Sequence, residues 1–190
     1  MNNYFNLNNK NVIITGGNGF LGRVFCEAIA ENNGNPILLD INSVGADNFV
    51  KKISIKHKVK AKYYKCDITS EINVKKIFKK IVYDYNKIDC LVNNAALNPK
   101  KMNKKTNLLE NFSISNLKHE INVGLIGSLI CVKIFGTYFA KIKSGNIVNI
   151  SSDLGIIAPN QSIYNSLKQK NVKPISYSII KSAIIGFTRY

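Results

Sequence analysis

Arginine is nearly absent from this 190-residue chain: Arg23 and Arg189 are the only two, so lysine supplies almost all of its 27 basic residues. Base readout leans on arginine, so the net charge of +16 reads as a Lys/Asn/Ile-rich background and no nucleic-acid partner is expected. Cysteine is sparse too. Cys26, Cys66, Cys90 and Cys131 form no C-x-x-C pair, and His57 and His119 are the only histidines beside them. This excludes a disulfide scaffold and leaves no expected metal site; the four read as reduced core thiols of a cytoplasmic protein. Met1 to Lys10 is polar and holds no apolar stretch of the ~7–15 residues a secretory signal needs, so the chain is expected to start here. The most apolar window, Ile121 to Ala140, is interrupted by Asn122 and Lys133, which favours a buried helix over a membrane span.

What is present is a hydrophobic content of 45% with 20% charged residues, enough for one soluble domain with a sizeable core. Short apolar runs at Val12–Ile14, Ile37–Leu39, Ala61–Cys66, Ile88–Val92 and Ile147–Ile150 read as strands. Unbroken apolar strands imply a sheet covered on both faces. Leu21, Val24, Phe25, Ala28 and Ile29 fall at helical spacing, as do Val74, Ile77, Phe78, Ile81, Val82 and Tyr85. The alternation predicts an α/β fold, a Rossmann-type doubly wound parallel sheet with helices on both faces and ligands at the carboxyl ends of the strands. Two stretches break the rhythm, Asn98–Ser115 with its Lys100, Lys101, Lys104 and Lys105, and Asp153–Pro174. Both follow strands, where active-site loops belong. The lysine cluster reads as a solvated loop and is given no role.

The run Thr15-Gly16-Gly17-Asn18-Gly19-Phe20-Leu21-Gly22 contains G-x-G-x-x-G between the first strand and the first helix. In that context Gly17 permits a tight turn, Gly19 a close approach to a pyrophosphate and Gly22 close helix packing, with helix N–H groups facing the phosphates. Asp40 closes the second strand, where a carboxylate accepts hydrogen bonds from both hydroxyls of an adenosine ribose and repels a 2'-phosphate. NAD is therefore expected over NADP. Asp67 ends the third strand and stands equally well as an adenine contact or as the cap of a helix starting near Thr69.

Tyr177 and Lys181 are four apart on a helical segment, so they share a face, and a phenol of pKa ~10 needs such a cation to exchange protons near neutrality. Tyr164 and Lys168 match the same spacing. These residues, with Thr15–Gly22, Asn93-Asn94-Ala95-Ala96, Asn122-Val123-Gly124, Asn146–Ser152 and Tyr177–Arg189, resemble the short-chain dehydrogenase/reductase family from Asn11 to Tyr190. The resemblance implies that the full-length protein is an NAD-dependent oxidoreductase that interconverts a carbonyl and a secondary alcohol. It implies that Ser152 holds the substrate oxygen and Tyr177 exchanges the proton. Lys181 lowers the Tyr pKa while touching the nicotinamide ribose, and Asn122 holds a relay water. Gly16, Gly17, Asn18, Gly19, Phe20, Leu21, Gly22, Asp40, Asp67, Asn93 and Ala95 would bind the cofactor with Tyr177 and Lys181. The family pattern continues after Lys181 and not after Lys168, which selects the former.

Departures are equally informative. Phe20 stands at the family's middle glycine, and Ser152 precedes Tyr177 by 25 positions where about 12 to 13 is usual. Both features resemble the extended branch of nucleotide-sugar epimerases and dehydratases. Asn93–Ala95, Asn122 and Ile147–Ser152 resemble the shorter branch, which is favoured, with an insertion around Tyr164–Pro174. A weaker resemblance points to members of surface-sugar and flagellin-glycan pathways, hence to a sugar-derived small-molecule substrate. A non-catalytic NAD-binding protein is the rival from another class. The helix from about Leu117 to Ala140 is apolar nearly all round, and by resemblance it and the Tyr177 helix pair with their copies in a homodimer or homotetramer. The chain ends inside a helix where the family continues for about 60 residues. A fragment with one open sheet edge and thin cover near Val12 and Ile147 is the expectation.

Overall fold

The unbroken apolar runs become a five-stranded sheet in the order β3-β2-β1-β4-β5, in a computed structural model that describes residues 5–97, 107–163 and 172–190. The strands are β1 (Asn11–Thr15), β2 (Asn35–Asp40), β3 (Lys62–Lys65), β4 (Cys90–Asn93) and β5 (Asn146–Asn149). β1 pairs in parallel with β2 and with β4, and β2 with β3. The helices are α1 (Phe20–Glu31), α2 (Ala46–His57), α3 (Glu71–Tyr85), α4 (Ile114–Ile142) and α5 (Ile175–Arg189). α2 is the one helix that apolar spacing did not announce, because lysines and polar residues break up its stripe of Ala46, Val50 and Ile53. The expected Rossmann-type doubly wound arrangement is thus observed.

The described residues fall into two compact units. The first holds those up to Ala95 together with Gly127–Val148. Its central strand β1 is buried at every position, and successive side chains serve opposite faces of the sheet. Val12 and Ile14 join Leu38 beneath Cys26 and Ala30 of α1 and Val50 and Ile53 of α2. Ile13 joins Ile37, Leu39 and Leu91 beneath Val74, Ile77 and Ile81 of α3 and Cys131, Phe135 and Phe139 of α4. A sheet sandwiched this way needs apolar residues on both strand faces, which is what the unbroken runs supply. Val12 keeps its cover, against expectation, because α1 and α2 lie on its side. β5 lies at the sheet edge, where Val148 is 45% exposed.

Burial pushes the thiols of Cys26 and Cys66 up to about 12, that of Cys90 to about 11, and that of Cys131 higher still. All four are free thiols. Cys26, Cys66 and Cys131 are buried in the core, as their spacing predicted, whereas Cys90 is half-buried at its margin.

The second unit holds the described residues of Ala96–Ile126 and Asn149–Tyr190. α4 begins there at the Ser113 cap, and α5 follows Pro174. Where Gly124 meets Ile180, an added Cβ would lie 3.0 Å from the Ile180 side chain, so the two helices touch through a glycine. α4 widens into π-helical turns at Asn122–Ile126 and Val132–Gly136. It is the one helix among the described residues long and apolar enough to cross a membrane, with a mean hydropathy of 1.8 and a third of that window buried. The buried-helix expectation holds for one face of it. Cys131, Phe135 and Phe139 are covered, while Ile126 and Leu129 are open.

Charged groups pin the margins of the first unit. Asp84 accepts from Lys62 at 2.7 Å and from the Tyr64 hydroxyl at 2.5 Å, and these bonds, Lys62 first, hold its carboxyl below the usual range. Glu27 is lowered by Lys56 and then His57, and Glu71 by Lys75 and then Lys133. Groups with depressed folded pKa values stabilise the fold above the ordinary carboxylate pKa of ~4 and lose that contribution as pH falls through the folded values. The melting temperature should hold from pH 8 to about 5 and fall below about 4. Asp84→Asn should cost about 1 kcal/mol at pH 7, and the difference should vanish toward acid in a calorimetric series.

Candidate functional site

The glycine run forms the turn between β1 and α1 as expected, with one change of role. Gly16, not Gly17, carries the left-handed backbone, at φ +64°. Gly17 is needed for space, since a Cβ there would lie 2.9 Å from Leu38. Gly22 is the most constrained: its Cβ would fall 2.1 Å from the Gly16 carbonyl oxygen. α1 therefore starts tight against the turn. Its N-cap, Gly19, provides no side-chain cap, and the first-turn N–H groups of Phe20 and Leu21 precede the first intrahelical donor, Arg23. Uncapped N–H groups beside a backbone bare of side chains are the surroundings a pyrophosphate requires. These residues fit a dinucleotide.

The turn is tied to its neighbours by side chains. Thr15 Oγ1, fully buried, accepts from the N–H groups of Asn94 at 3.0 Å and Ala95 at 3.1 Å, while Asn94 Nδ2 donates to the Thr15 carbonyl at 2.9 Å. Asn93 lies beside them, buried. The Asp40 carboxylate accepts from the Asn18 N–H at 3.0 Å and from the Asn42 N–H at 2.9 Å. Asn18 in turn donates to the carbonyls of Asn42 and Val44 and accepts from Arg23, whose guanidinium sits 4.7 Å from the centre of the Phe49 ring. Asp40 thus stands at the turn, as its place at the end of β2 predicted.

Asp67 accepts from the N–H and hydroxyl of Thr69. The helix cap is Ser70, whose hydroxyl accepts from the Asn73 N–H, and α3 begins at Glu71 rather than near Thr69. Asp67 is therefore not the cap.

In the second unit Tyr177 and Lys181 lie one turn apart on α5, with the Lys181 ammonium 5.8 Å from the centre of the Tyr177 ring. Lys181 is 6% exposed and donates to the Ile150 carbonyl at 2.6 Å. Burial, and then the charge of Lys173, push its pKa below the ordinary lysine value. The short turn Asp153–Gly155 is packed on the same helix: a Cβ on Gly155 would lie 2.8 Å from the Lys181 backbone, and Ser182 donates to the Gly155 carbonyl at 2.7 Å. Of the two adjacent serines, Ser151 is spent on the Lys181 carbonyl at 2.8 Å. Ser152 donates to Asp153 at 2.7 Å and accepts from the Leu154 N–H. Asn122 is exposed, in the first π-helical turn of α4.

The sequence-level reading passed over Thr15 and Asn94 as clamps, although both stand in the quoted motifs. It also passed over Lys173, whose ammonium sits 3.8 Å from the centre of the Tyr177 ring. Glu27, Glu31 and His57 bring ligand-capable atoms within 4.8 Å of one another, but Glu27 is already paired with Lys56 and His57. Tyr164, Lys168 and the lysines at 100, 101, 104 and 105 lie outside the described residues.

Residues 10–190 match the family model of the short chain dehydrogenases, and the chain belongs to that family. An uncharacterized oxidoreductase of Haemophilus influenzae is 30% identical over 97% of this chain. The post-translational flagellin modification protein A of Campylobacter coli is 28% identical over 94%. The crystal structure of NAD+-bound xylitol dehydrogenase superposes with a TM-score of 0.81 at 25% identity, covering 96% of this chain and 63% of that one. The chain spans 64% of the length of the Haemophilus relative.

The glycine geometry sets a direct comparison. Gly22→Ala should destabilise the fold by several kcal/mol, since its Cβ would run into the backbone of Gly16 and Gly17. Gly186→Ala, with nothing within 4 Å of its Cβ, should raise stability by about 0.5–1 kcal/mol. Chemical denaturation of the two variants checks both signs.

Proposed function

We propose that this protein is an NAD-dependent oxidoreductase that interconverts a carbonyl and a secondary alcohol on a sugar-derived small molecule. The observation that carries this reading is the buried Lys181 ammonium beside Tyr177. Among the described residues no carboxylate pairs with Lys181, so its burial carries a desolvation cost that packing alone does not repay, and such perturbed groups gather where chemistry is done.

The glycine turn, the first turn of α1 and Asp40 would hold the dinucleotide, with Asp67, Asn93 and Ala95 beside it. When bound, NAD supplies the hydride acceptor for oxidation and its reduced form the donor for reduction. In the reducing direction Tyr177 gives its phenolic proton to the carbonyl oxygen as that oxygen gains negative charge. The Lys181 ammonium stabilises the phenolate left behind. Ser152 turns its hydroxyl from Asp153 to the substrate oxygen, and Asn122 holds a water that returns a proton to Tyr177. The Ser151 hydroxyl donates to the Lys181 carbonyl whereas that of Ser152 donates only to its chain neighbour Asp153, which supports Ser152 for that role.

Solved neighbours of this fold carry either NAD or NADP. The Asp40 carboxylate supports NAD, because it would repel a 2'-phosphate. The open residues of α4, Ile126 and Leu129, support assembly as a homodimer or homotetramer. Titration of both nucleotides alongside turnover tests the reading. Tyr177→Phe should bind NAD as the parent does, and more tightly than NADP, while turnover drops by about 10²–10⁴-fold. Undiminished turnover, or equal affinities for the two nucleotides, would contradict it.

A further inference from the structure

Lys173 lies in the stretch that lengthens the interval between Ser152 and Tyr177, and its surroundings are unusual for a surface lysine. The Gln161 side-chain amide clasps its main chain from both sides, accepting from the Lys173 N–H at 3.2 Å and donating to its carbonyl at 3.1 Å. Asn107 holds the preceding carbonyl, that of Val172, at 3.1 Å. So anchored, the half-buried Lys173 places its ammonium 3.8 Å from the centre of the Tyr177 ring, closer than that of Lys181.

Two ammonium groups thus flank one phenol. Among the described residues the lysine ion pairs engage Lys10, Lys56, Lys62, Lys75, Lys87 and Lys133, and no carboxylate pairs with Lys173 or Lys181. Lys181 has the Ile150 carbonyl. The carboxylate of Asp153 is taken by Ser152 and the Leu154 N–H. Burial first, and then the charge of Lys173, lower the Lys181 pKa, and among the described residues no carboxylate offsets the two cations. The face of the phenol supplies partial compensation to Lys173. An ammonium on a ring face keeps donors free on its outer side.

We propose that Lys173 determines specificity by holding an anionic substituent, a carboxylate or a phosphate, of the substrate whose oxygen exchanges its proton with Tyr177. The protein then takes acidic sugar derivatives in preference to neutral polyols and ketoses. The inference rests on the acid/base reading of Tyr177 and adds the substrate class. A single compact ammonium recognises charge rather than a planar fork, so it accepts either anion.

The test is calorimetric titration of the purified protein, with NAD present, using D-gluconate, sorbitol 6-phosphate and sorbitol. At least one anion should bind about tenfold or more tightly than sorbitol, a gap of about 1.4 kcal/mol. Preference for gluconate alone identifies a carboxylate, and preference for sorbitol 6-phosphate alone a phosphate. Lys173→Met should bring the anions to the level of sorbitol, and Lys173→Arg should keep the preference. If Lys173→Met does not fold, reductive methylation of the parent protein decides: the favoured anion should protect Lys173 and sorbitol should not. Anions that bind no tighter than sorbitol, a preference that survives in Lys173→Met, or Lys173 labelled equally with and without anion would overturn the proposal. Tyr177→Phe run beside these separates the two ideas, because binding preference reports on Lys173 and turnover reports on Tyr177.

Discussion

The glycine turn at the carboxyl end of β1 hangs on the knot of hydrogen bonds between Thr15 and Asn94. One buried hydroxyl accepts from two successive N–H groups, and one side-chain amide returns a bond to the Thr15 carbonyl. Each such bond contributes on the order of 1 kcal/mol, and leaving its buried partner unsatisfied costs more. The knot joins the carboxyl ends of β1 and β4 just before the chain must turn. With that end fixed, Gly16 adopts its left-handed backbone, Gly22 comes up against the Gly16 carbonyl, and α1 is aimed with bare N–H groups at its start. The Asp40 carboxylate holds the far side of the same turn through Asn18. A loop this free of side chains is stable only because its neighbours restrain it on both sides.

The second unit solves a different problem, the burial of a cation. Lys181 gains one carbonyl bond and the ring of Tyr177 in exchange for losing water, which is a poor exchange in stability alone. Its surroundings are shaped to make it rigid: Gly155 lets a turn press on the α5 backbone, and Ser151 and Ser182 stitch the two together. Stability spent on fixing one ammonium beside one phenol is consistent with proton exchange at that phenol. Gly124 plays the matching part on the other side, letting α4 reach Ile180 of α5.

Much of this was legible in the amino acids. The five strands stand where apolar runs stand, because a strand covered on both faces tolerates few polar residues. Their ends shift by a residue or two: β5 is Asn146–Asn149, not Ile147–Ile150, since pairing rather than hydrophobicity sets where a strand stops. Helical spacing made Tyr177 and Lys181 one of two candidate pairs, and the family pattern after Lys181 selected them over Tyr164 and Lys168. The role of Gly16 was not, because a positive φ depends on how the turn closes and any glycine of the run has that freedom. Lys173 was hidden for another reason. In a chain so rich in lysine no local pattern distinguishes one, and its position depends on Gln161 and Asn107, twelve and sixty-six residues away in sequence.

The central proposal is that the full-length protein moves a hydride between a nicotinamide and a carbonyl carbon while Tyr177 supplies the proton. The most direct measurement is isotope transfer, with NADH deuterated at the transferable position incubated with the protein and a panel of keto sugars and keto acids, and the products read by mass spectrometry. The account predicts an alcohol carrying one deuterium on its carbinol carbon. An unlabelled alcohol, or no reduction of any member by a protein that binds NADH, would contradict it.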